Sequence, residues 1–246
     1  MRLDLSTWQE VEAYLTRSTG IIIPTGSTEQ HGPMGLIGTD AICAQTIAEH
    51  AATQADALVA PTLALTPAPF NMRFPGTISI SEPLFEALAR EIVEGLAGQG
   101  FRHIYFLNGH GANLAPLRRI AADPQTQATI QVKSWWDFAP VNALRDQYYR
   151  AWEGMHGTPA EVAITQATHR ILPPGDAAEP PRKLTPEFIK AHAGDKHGPP
   201  DEHRRDFPDG RVGSHSALAR PEHGEALIQA AAKCVAADYL AFLSDQ

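Results

Sequence analysis

The sequence has little cysteine and few aromatic residues. Only 2 of its 246 residues are cysteine, and 7% are aromatic. Two cysteines cannot build a disulfide framework or a thiolate-caged zinc site. Because Cys43 and Cys234 both fall in helical patterns, we expect them to pack in the core without a catalytic or metal-binding role.

The chain also lacks a hydrophobic leader, an obvious membrane span and a basic region. The N-terminal segment MRLDLSTWQE has no apolar signal core, and no apolar stretch approaches the roughly 20 residues that a span requires. The formal net charge is −8, with no long basic run. These features disfavour nucleic acid and an anionic membrane as partners and predict a cytoplasmic protein.

What the sequence does contain is an alternation of short apolar runs and helical patterns. With 43% hydrophobic and 20% charged residues, the chain can bury the core of one domain covering residues 1–246. Strand followed by helix, repeated, predicts an α/β fold with a mostly parallel sheet. The predicted strands cover residues 20–24, 57–65, 103–107 and 129–134; the predicted helices cover 40–55, 82–99, 113–122, 161–169 and 221–243. A proline-rich stretch over 172–182 resembles a linker, but the remainder is too short and polar for a second core.

The segment PTGSTEQHGPMGLIGTD, after the first predicted strand, holds three candidate metal ligands. In extended or tightly turned backbone Glu29 and His31 leave the chain on the same side, and a glycine-rich loop returns the chain at Asp40. Carboxylate and imidazole ligands without thiolate suit Zn²⁺, Mn²⁺ or Fe²⁺ at a site with an open position. A solvated polar loop is the alternative.

Two further clusters follow later in the chain. His110 stands in NGHGAN, where an apolar strand gives way to a helix, and ligands of open α/β sheets bind at that edge. In WEGMHGTPAE, His156 lies on a loop and Glu161 in the first turn of a helix that Pro159 begins. Glu161 also fits a plain role as a carboxylate that complements the helix dipole.

These motifs together resemble one known family. In chain order the segments GSTEQHG with a following TDA, FPGT, NGHGAN, HGTPAE, PDGRVGS and PEHGE are similar to the creatininase family of creatinine amidohydrolases. The resemblance implies a three-layer α/β/α fold and two divalent metal ions per subunit. It also implies hydrolysis of a C–N bond in a cyclic or linear amide, by a homo-oligomer that is usually a hexamer.

The resemblance also assigns residues. It implies that Glu29, His31 and His110 are metal ligands and that Asp40 bridges both ions. Trp152 and His156 have the spacing of the substrate-covering tryptophan and the acid/base histidine of creatininase. In the mechanism of such a centre, a positioned histidine protonates the leaving nitrogen, which is typically worth about 10² to 10⁴ in rate.

One departure from the family pattern affects the ligand set. Creatinine-hydrolysing members have a glutamate two residues after the histidine that corresponds to His110, and this chain has Ala112 there. We expect Glu161 to replace it as a ligand and to take part in catalysis. The substrate is then a small cyclic amide other than creatinine, or, in the alternative, the formamide or peptide of a deformylase-like or peptidase-like relative.

Other classes of protein fit the sequence less well. NGHGAN lacks the third glycine of a dinucleotide turn, and Ser27 does not stand in a G-x-S-x-G elbow. A non-catalytic metal-binding or scaffold protein stays open. The histidines of the 191–223 segment lack ligand spacing, and we expect that segment to be a solvated loop.

Overall fold

The protein is described by a computed structural model that covers residues 1–194 and 196–244. Its centre is a parallel sheet with the strand order β2-β1-β3-β4. The strands are β1 (Gly20–Thr25), β2 (Leu58–Val59), β3 (His103–Asn108) and β4 (Thr129–Ser134).

The strand predictions hold for β1, β3 and β4, but the predicted strand over 57–65 is wrong in length. Only Leu58–Val59 forms a strand, and the chain then follows β1 through a single bridge between Leu63 and Thr25. Pro61 interrupts this stretch, and a proline has no N–H to donate to a continuing ladder.

Nine α-helices surround the sheet in the described part of the chain. They are α1 (Trp8–Leu15), α2 (Thr39–Ala55), α3 (Glu82–Gly98), α4 (Leu114–Ala121), α5 (Ala139–Tyr149), α6 (Pro159–Thr168), α7 (Pro186–Ala191), α8 (Pro200–Asp206) and α9 (Pro221–Ser244). The five predicted helices are confirmed within a few residues. The four that the sequence did not reveal, α1, α5, α7 and α8, each bury at most two side chains and so carry little apolar periodicity.

Alternating side chains of the central strands divide the core into two halves. Ile21 and Ile23 of β1 pack with α1, α3 and α4 on one face of the sheet. Ile22 points to the opposite face, where it joins α2, α5, α6 and α9. Because successive strand residues point to opposite faces, the sheet is covered on both sides. The three-layer α/β/α arrangement is confirmed.

One helix departs from the expectation about membrane spans. Within the described residues, α9 is long and apolar enough to cross a membrane, judged by length and composition alone. Its side chains Leu227, Ala231 and Tyr239 are buried among the helices of one face of the sheet. We therefore interpret α9 as a core helix, because buried core helices can have the same length and apolar composition as a membrane span.

Two glycines bring the first turn of α2 against the ends of β1 and β3. A Cβ atom on Gly109 would lie 2.4 Å from the carbonyl oxygen of Asp40, and one on Gly26 would lie 2.3 Å from the amide nitrogen of Ala41. Both distances are too short for any other residue. The carboxylate of Asp40 is thus held at the carboxyl edge of the sheet.

Candidate metal centre

The five predicted ligands lie together in the structure. Glu29 and His31 follow β1, His110 follows β3, Asp40 lies in the first turn of α2, and Glu161 lies in the first turn of α6. All five are buried, and none exposes more than 8% of its surface. Burying this many ionisable groups in one place is costly unless they are paired or bind a cation.

The ligand atoms form two groups that share Asp40. One group is Glu29, Asp40 and His110, and the other is His31, Asp40 and Glu161; within each group the ligand atoms lie within 4.8 Å of one another. The Oδ1 atom of Asp40 is 2.8 Å from Nε2 of His31, and Oδ2 is 3.0 Å from Nδ1 of His110. A carboxylate placed in this way can bridge two cations.

Backbone carbonyls fix which nitrogen of each histidine faces the carboxylates. His110 donates from Nε2 to the carbonyl of Pro67 at 2.7 Å, and His31 donates from Nδ1 to the carbonyl of Glu29 at 3.0 Å. Since a carbonyl only accepts, the other nitrogen of each neutral ring presents a lone pair to the carboxylates. This is the orientation of metal-ligating histidines, whose second nitrogen is held by a hydrogen bond.

The buried carboxylates of the cluster need a positive charge beside them, either from a bound cation or from a proton on a histidine. Burial lowers the pKa of His31, but the carboxylates of Asp40 and Glu161 outweigh burial and raise that pKa to about 10. Burial raises the pKa of Asp40, yet the two histidines hold it well below its usual value. Without metal the cluster is therefore held together by a proton on His31, and the donor set fits a divalent cation that displaces this proton.

Glu161 has two roles in the geometry. Its carboxylate accepts a hydrogen bond from the amide of Thr158, and its own amide donates to Oγ1 of Thr158 at 3.2 Å, which forms a capping box at the start of α6. The same Oε1 atom lies 4.0 Å from Nε2 of His31. Burial raises the pKa of Glu161 to about 8.

Two amide side chains that the sequence did not single out support Glu29. Asn71 donates to Oε2 of Glu29 at 2.8 Å, and Gln30 donates to Oδ1 of Asn71 at 2.7 Å and to the carbonyl of Gly210 at 3.0 Å. These contacts leave the other oxygen of Glu29, Oε1, directed at Nδ1 of His110 at 3.1 Å. An asparagine in a loop gives no signal of its own in a sequence, so only the structure reveals this role.

His156 lies next to the cluster and is also buried. It donates from Nε2 to the carbonyl of Gln30 at 2.6 Å, and its Nδ1 lies 3.7 Å from Oε1 of Glu29. Burial and the neighbouring His31 lower its pKa to about 4. His156 is therefore neutral at pH 7, and with Glu29 and His31 it forms a third group with metal-ligand spacing.

A cavity of about 220 Å³ opens onto the cluster. Asp40, His110, His156 and Glu161 line it, and Trp135 and Trp136 contribute an aromatic wall. Trp152 does not line this cavity. Its ring is 5.7 Å from the ring of His215, and the ammonium of Lys183 lies over its face at 4.5 Å.

The prediction of a solvated loop for the histidine-rich 191–223 segment is wrong. His203 is 3% exposed, and the other four histidines of the segment, His192, His197, His215 and His223, are half-buried. The rings of His197 and His203 lie 4.6 and 5.0 Å from the ring of Phe70. Aromatic packing against the 69–71 turn, next to Asn71, buries these side chains and makes the segment an outer wall of the site.

The structure is a parallel α/β sheet with a buried carboxylate–imidazole cluster and a cavity at its carboxyl edge, an arrangement that suits a divalent-metal site in a cleft. A family model described as creatininase, creatinine amidohydrolase, matches residues 4–238. The chain belongs to the creatininase family.

Solved structures agree in fold. The crystal structure of creatinine amidohydrolase (creatininase) superposes with a TM-score of 0.81 at 22% identity, covering 100% of this chain and 98% of that one. A manganese form of creatininase gives a TM-score of 0.74 at 23% identity over 99% and 98% of the two chains. A Zn–Zn form gives 0.73 at 22% identity over 99% and 98%.

Curated relatives match over shorter regions. The 3-dehydro-scyllo-inosose hydrolase of Thermotoga maritima is 28% identical over 152 residues, or 60% of this chain and 47% of that protein. The mycofactocin precursor peptide peptidase of Mycobacterium tuberculosis is 40% identical over 114 residues, or 42% and 44% of the two chains. The chain thus spans less than half of the length of the curated relatives it matches.

Proposed function

We propose that this protein is a metal-dependent hydrolase that cleaves a C–N amide bond in a small substrate. The observation that carries the proposal is the pair of ligand groups that share Asp40 and open onto one cavity. A purely structural metal site is closed and fully ligated by protein, whereas a catalytic site keeps an open face. The cavity beside Asp40, His110 and Glu161 provides that face.

Two divalent ions, Zn²⁺, Mn²⁺ or Fe²⁺, are the proposed cofactors. Glu29, Asp40 and His110 would hold one ion, and His31, Asp40 and Glu161 the other. A pair of such ions lowers the pKa of water toward neutrality and polarises a carbonyl, which is the chemistry that amide hydrolysis requires. The protein's own contribution is to fix the ligands through the carbonyls of Pro67 and Glu29 and the amide of Asn71.

His156 is the proposed acid/base residue, with Glu161 close enough to share proton transfer. Because Nε2 of His156 is committed to the carbonyl of Gln30, the proton must move on and off Nδ1. The low pKa of His156 leaves this atom unprotonated at neutral pH. It would therefore accept the proton that the attacking water loses and pass that proton to the leaving nitrogen.

For the substrate we favour a small cyclic amide other than creatinine. Ala112 offers no ligand where creatinine-hydrolysing members have a glutamate, and Glu161 reaches the cluster from α6 instead. The cavity wall beside His110 therefore differs from that of those members. The second candidate is a formamide or a peptide, and the likeness to the mycofactocin precursor peptide peptidase supports peptide cleavage. Trp152 is proposed to cover the substrate, which requires its segment to leave His215 and turn toward the cavity.

Assembly and location complete the proposal. We propose a cytoplasmic homo-oligomer, a hexamer by family resemblance, that acts on a small molecule and binds neither nucleic acid nor membrane. Light scattering on the purified protein in the presence of metal tests the oligomeric state, and a monomer would contradict it.

An activity screen tests the reaction itself. The protein loaded with Zn²⁺, Mn²⁺ or, without oxygen, Fe²⁺ is assayed on cyclic amides, formamides and short peptides, beside a Glu29→Gln variant. We expect hydrolysis in at least one class and a loss of at least 10²-fold in kcat for the variant. Full activity of the variant would refute the site, and metal binding without any turnover would favour a scaffold protein.

A further inference from the structure

We propose that Arg145 binds a carboxylate of the substrate, so that the enzyme selects amides that carry a negative charge beside the bond it cleaves. This proposal rests on the proposed amidase function, because it names a substrate class for the same cavity. It is carried by the position of the guanidinium, by its hydrogen bonds and by the charges around it.

Arg145 extends from α5 into the lining of the cavity that His110 and Glu161 also line. Its side chain is 21% exposed, so it is neither in the core nor free in solvent. A cationic side chain that is partly removed from water at a cavity wall interacts more strongly with an anion than a surface arginine does. The position therefore suits recognition of a substrate group.

Two hydrogen bonds hold the guanidinium of Arg145 in place and leave its other N–H groups available. Nε of Arg145 donates to Oε1 of Glu153 at 2.9 Å, and Nη1 donates to Oδ1 of Asn142 at 2.8 Å. A guanidinium has five N–H donors, so three are not used by any described residue. A guanidinium that is held by some of its N–H groups and has the others available can donate two parallel hydrogen bonds to a planar carboxylate.

An aromatic ring further limits the motion of this side chain. The guanidinium carbon lies 5.8 Å from the centre of the Trp135 ring, within the range of a cation–π contact. Trp135 is itself only 2% exposed. With Glu153, Asn142 and Trp135 around it, Arg145 is oriented before any ligand arrives, and this reduces the entropy lost on binding.

The charge balance explains why such a residue would be needed. The chain carries a formal charge of −8, and the cavity is also lined by the carboxylates of Asp40 and Glu161. Arg145 is the one lysine or arginine among the described residues that line it. With the proposed metal ions bound, Arg145 would be the protein's own cation beside the cavity, placed for a substrate carboxylate that the ions do not hold.

Arg145 could instead serve only Glu153, whose carboxylate is 12% exposed. That structural role would stabilise the fold without distinguishing charged from neutral ligands. A binding comparison separates the two roles. The probes are N-acetylglycine and its neutral analogue N-acetylglycinamide, titrated calorimetrically into the zinc-loaded protein.

Four variants accompany the wild type. Arg145→Gln with Glu153→Gln removes both members of the pair and avoids leaving a buried carboxylate alone. Glu153→Gln keeps Arg145, Arg145→Lys keeps the charge without the fork, and Arg118→Gln removes an exposed arginine of α4 outside the cavity. Melting temperatures verify that each variant is folded.

We expect the wild type to bind the acid roughly 10-fold more tightly than the amide, from one charge-assisted contact. The double variant loses this ratio, and Arg145→Lys retains part of it. Glu153→Gln, which still offers an oxygen to Nε of Arg145, retains most of the ratio, and Arg118→Gln keeps it in full. A ratio unchanged in the double variant means that metal holds the carboxylate, and it overturns the proposal, as does failure of the wild type to prefer the acid. Absence of hydrolysis would count against the amidase function alone, because this comparison requires no turnover.

Discussion

Nδ1 of His110 lies 3.0 Å from Oδ2 of Asp40, while the other oxygen of the same carboxylate lies 2.8 Å from His31. One side chain of α2 thereby joins the loop after β1 to the loop after β3. The two glycines that admit the first turn of α2 make this contact sterically feasible. The properties expected of the centre follow from this shared carboxylate.

The first prediction concerns Glu161→Gln, which should remove one of two ions. Glutamine at this position can still form the capping box, so the start of α6 is kept. Only the group of His31, Asp40 and Glu161 loses an anionic ligand. We expect one tightly held divalent ion per chain by plasma mass spectrometry, against two in the wild type.

The control for this variant is stability without metal. Burial makes the ionised form of Glu161 costly, as its raised pKa of about 8 indicates. Above pH 8 the metal-free Glu161→Gln variant should therefore be at least as stable as the metal-free wild type. A strongly destabilised variant would show that Glu161 serves the fold more than the metal.

The second prediction is that the metal-free protein loses stability as the pH rises from 6.5 to 10. The pKa of His31 is raised from 6.5 to about 10, so over this window the folded state holds a proton that the unfolded state has released. Stability must then fall with increasing pH, by about 3 to 5 kcal/mol. Urea unfolding at several pH values in the presence of a chelator measures this fall.

Zn²⁺ or Mn²⁺ should reverse that trend. A bound cation replaces the proton on His31, so metal affinity rises with pH and binding releases protons. Calorimetric titration in buffers of different ionisation enthalpy counts the released protons. Binding without proton release at pH 7.5 would contradict the ligand assignment of His31.

The third prediction concerns Asn71, which holds Glu29. Asn71→Leu keeps the volume but leaves Oε2 of Glu29 without its donor, so Glu29 can turn away from His110. We expect the affinity for the ion beside His110 to fall about 10- to 100-fold, as is usual for residues that orient a ligand. The matched control is Gln54→Leu, at an exposed position of α2.

Much of this architecture is readable from the sequence, for identifiable reasons. β1 and β3 are apolar runs, β4 alternates apolar and polar residues, and the candidate ligands follow soon after β1 and β3. Because the carboxyl ends of parallel strands share one edge, Glu29, His31 and His110 could be expected to meet. Pro159, which suits the first turn of a helix, likewise indicated the start of α6.

The rest depends on contacts between segments far apart in the chain. Asn71 and Arg145 have no local sequence pattern. Asn71 acts on Glu29, which is 42 residues away in the chain, and Arg145 is singled out only by the cavity that it lines. The packing of His203 on Phe70 is equally invisible, because a histidine in a polar segment gives no sign of its aromatic partner. The same holds for Trp152, whose neighbour His215 lies on a different loop.

The fourth prediction concerns the glycine that admits α2 to the site. In Gly109→Ala the new Cβ would meet the carbonyl of Asp40 at 2.4 Å, so the first turn of α2 must shift. We expect a loss of about 1 to 3 kcal/mol in unfolding free energy together with weaker metal binding.

Gly95→Ala is the matched control for that variant. A Cβ at Gly95, in the last turn of α3, meets no atom within 4 Å. Alanine there should stabilise the protein by about 0.5 to 1 kcal/mol, because it favours the helix. Equal effects of the two substitutions would refute the close approach at Gly109.

The metal content of Asp40→Asn tests the central claim most directly. Wild type and variant are loaded with Zn²⁺ or Mn²⁺ at pH 8, dialysed against metal-free buffer and analysed by plasma mass spectrometry. Because Asp40 belongs to both ligand groups, we predict two ions per chain in the wild type and fewer than one in the variant. Two ions retained by a folded Asp40→Asn variant would contradict the account.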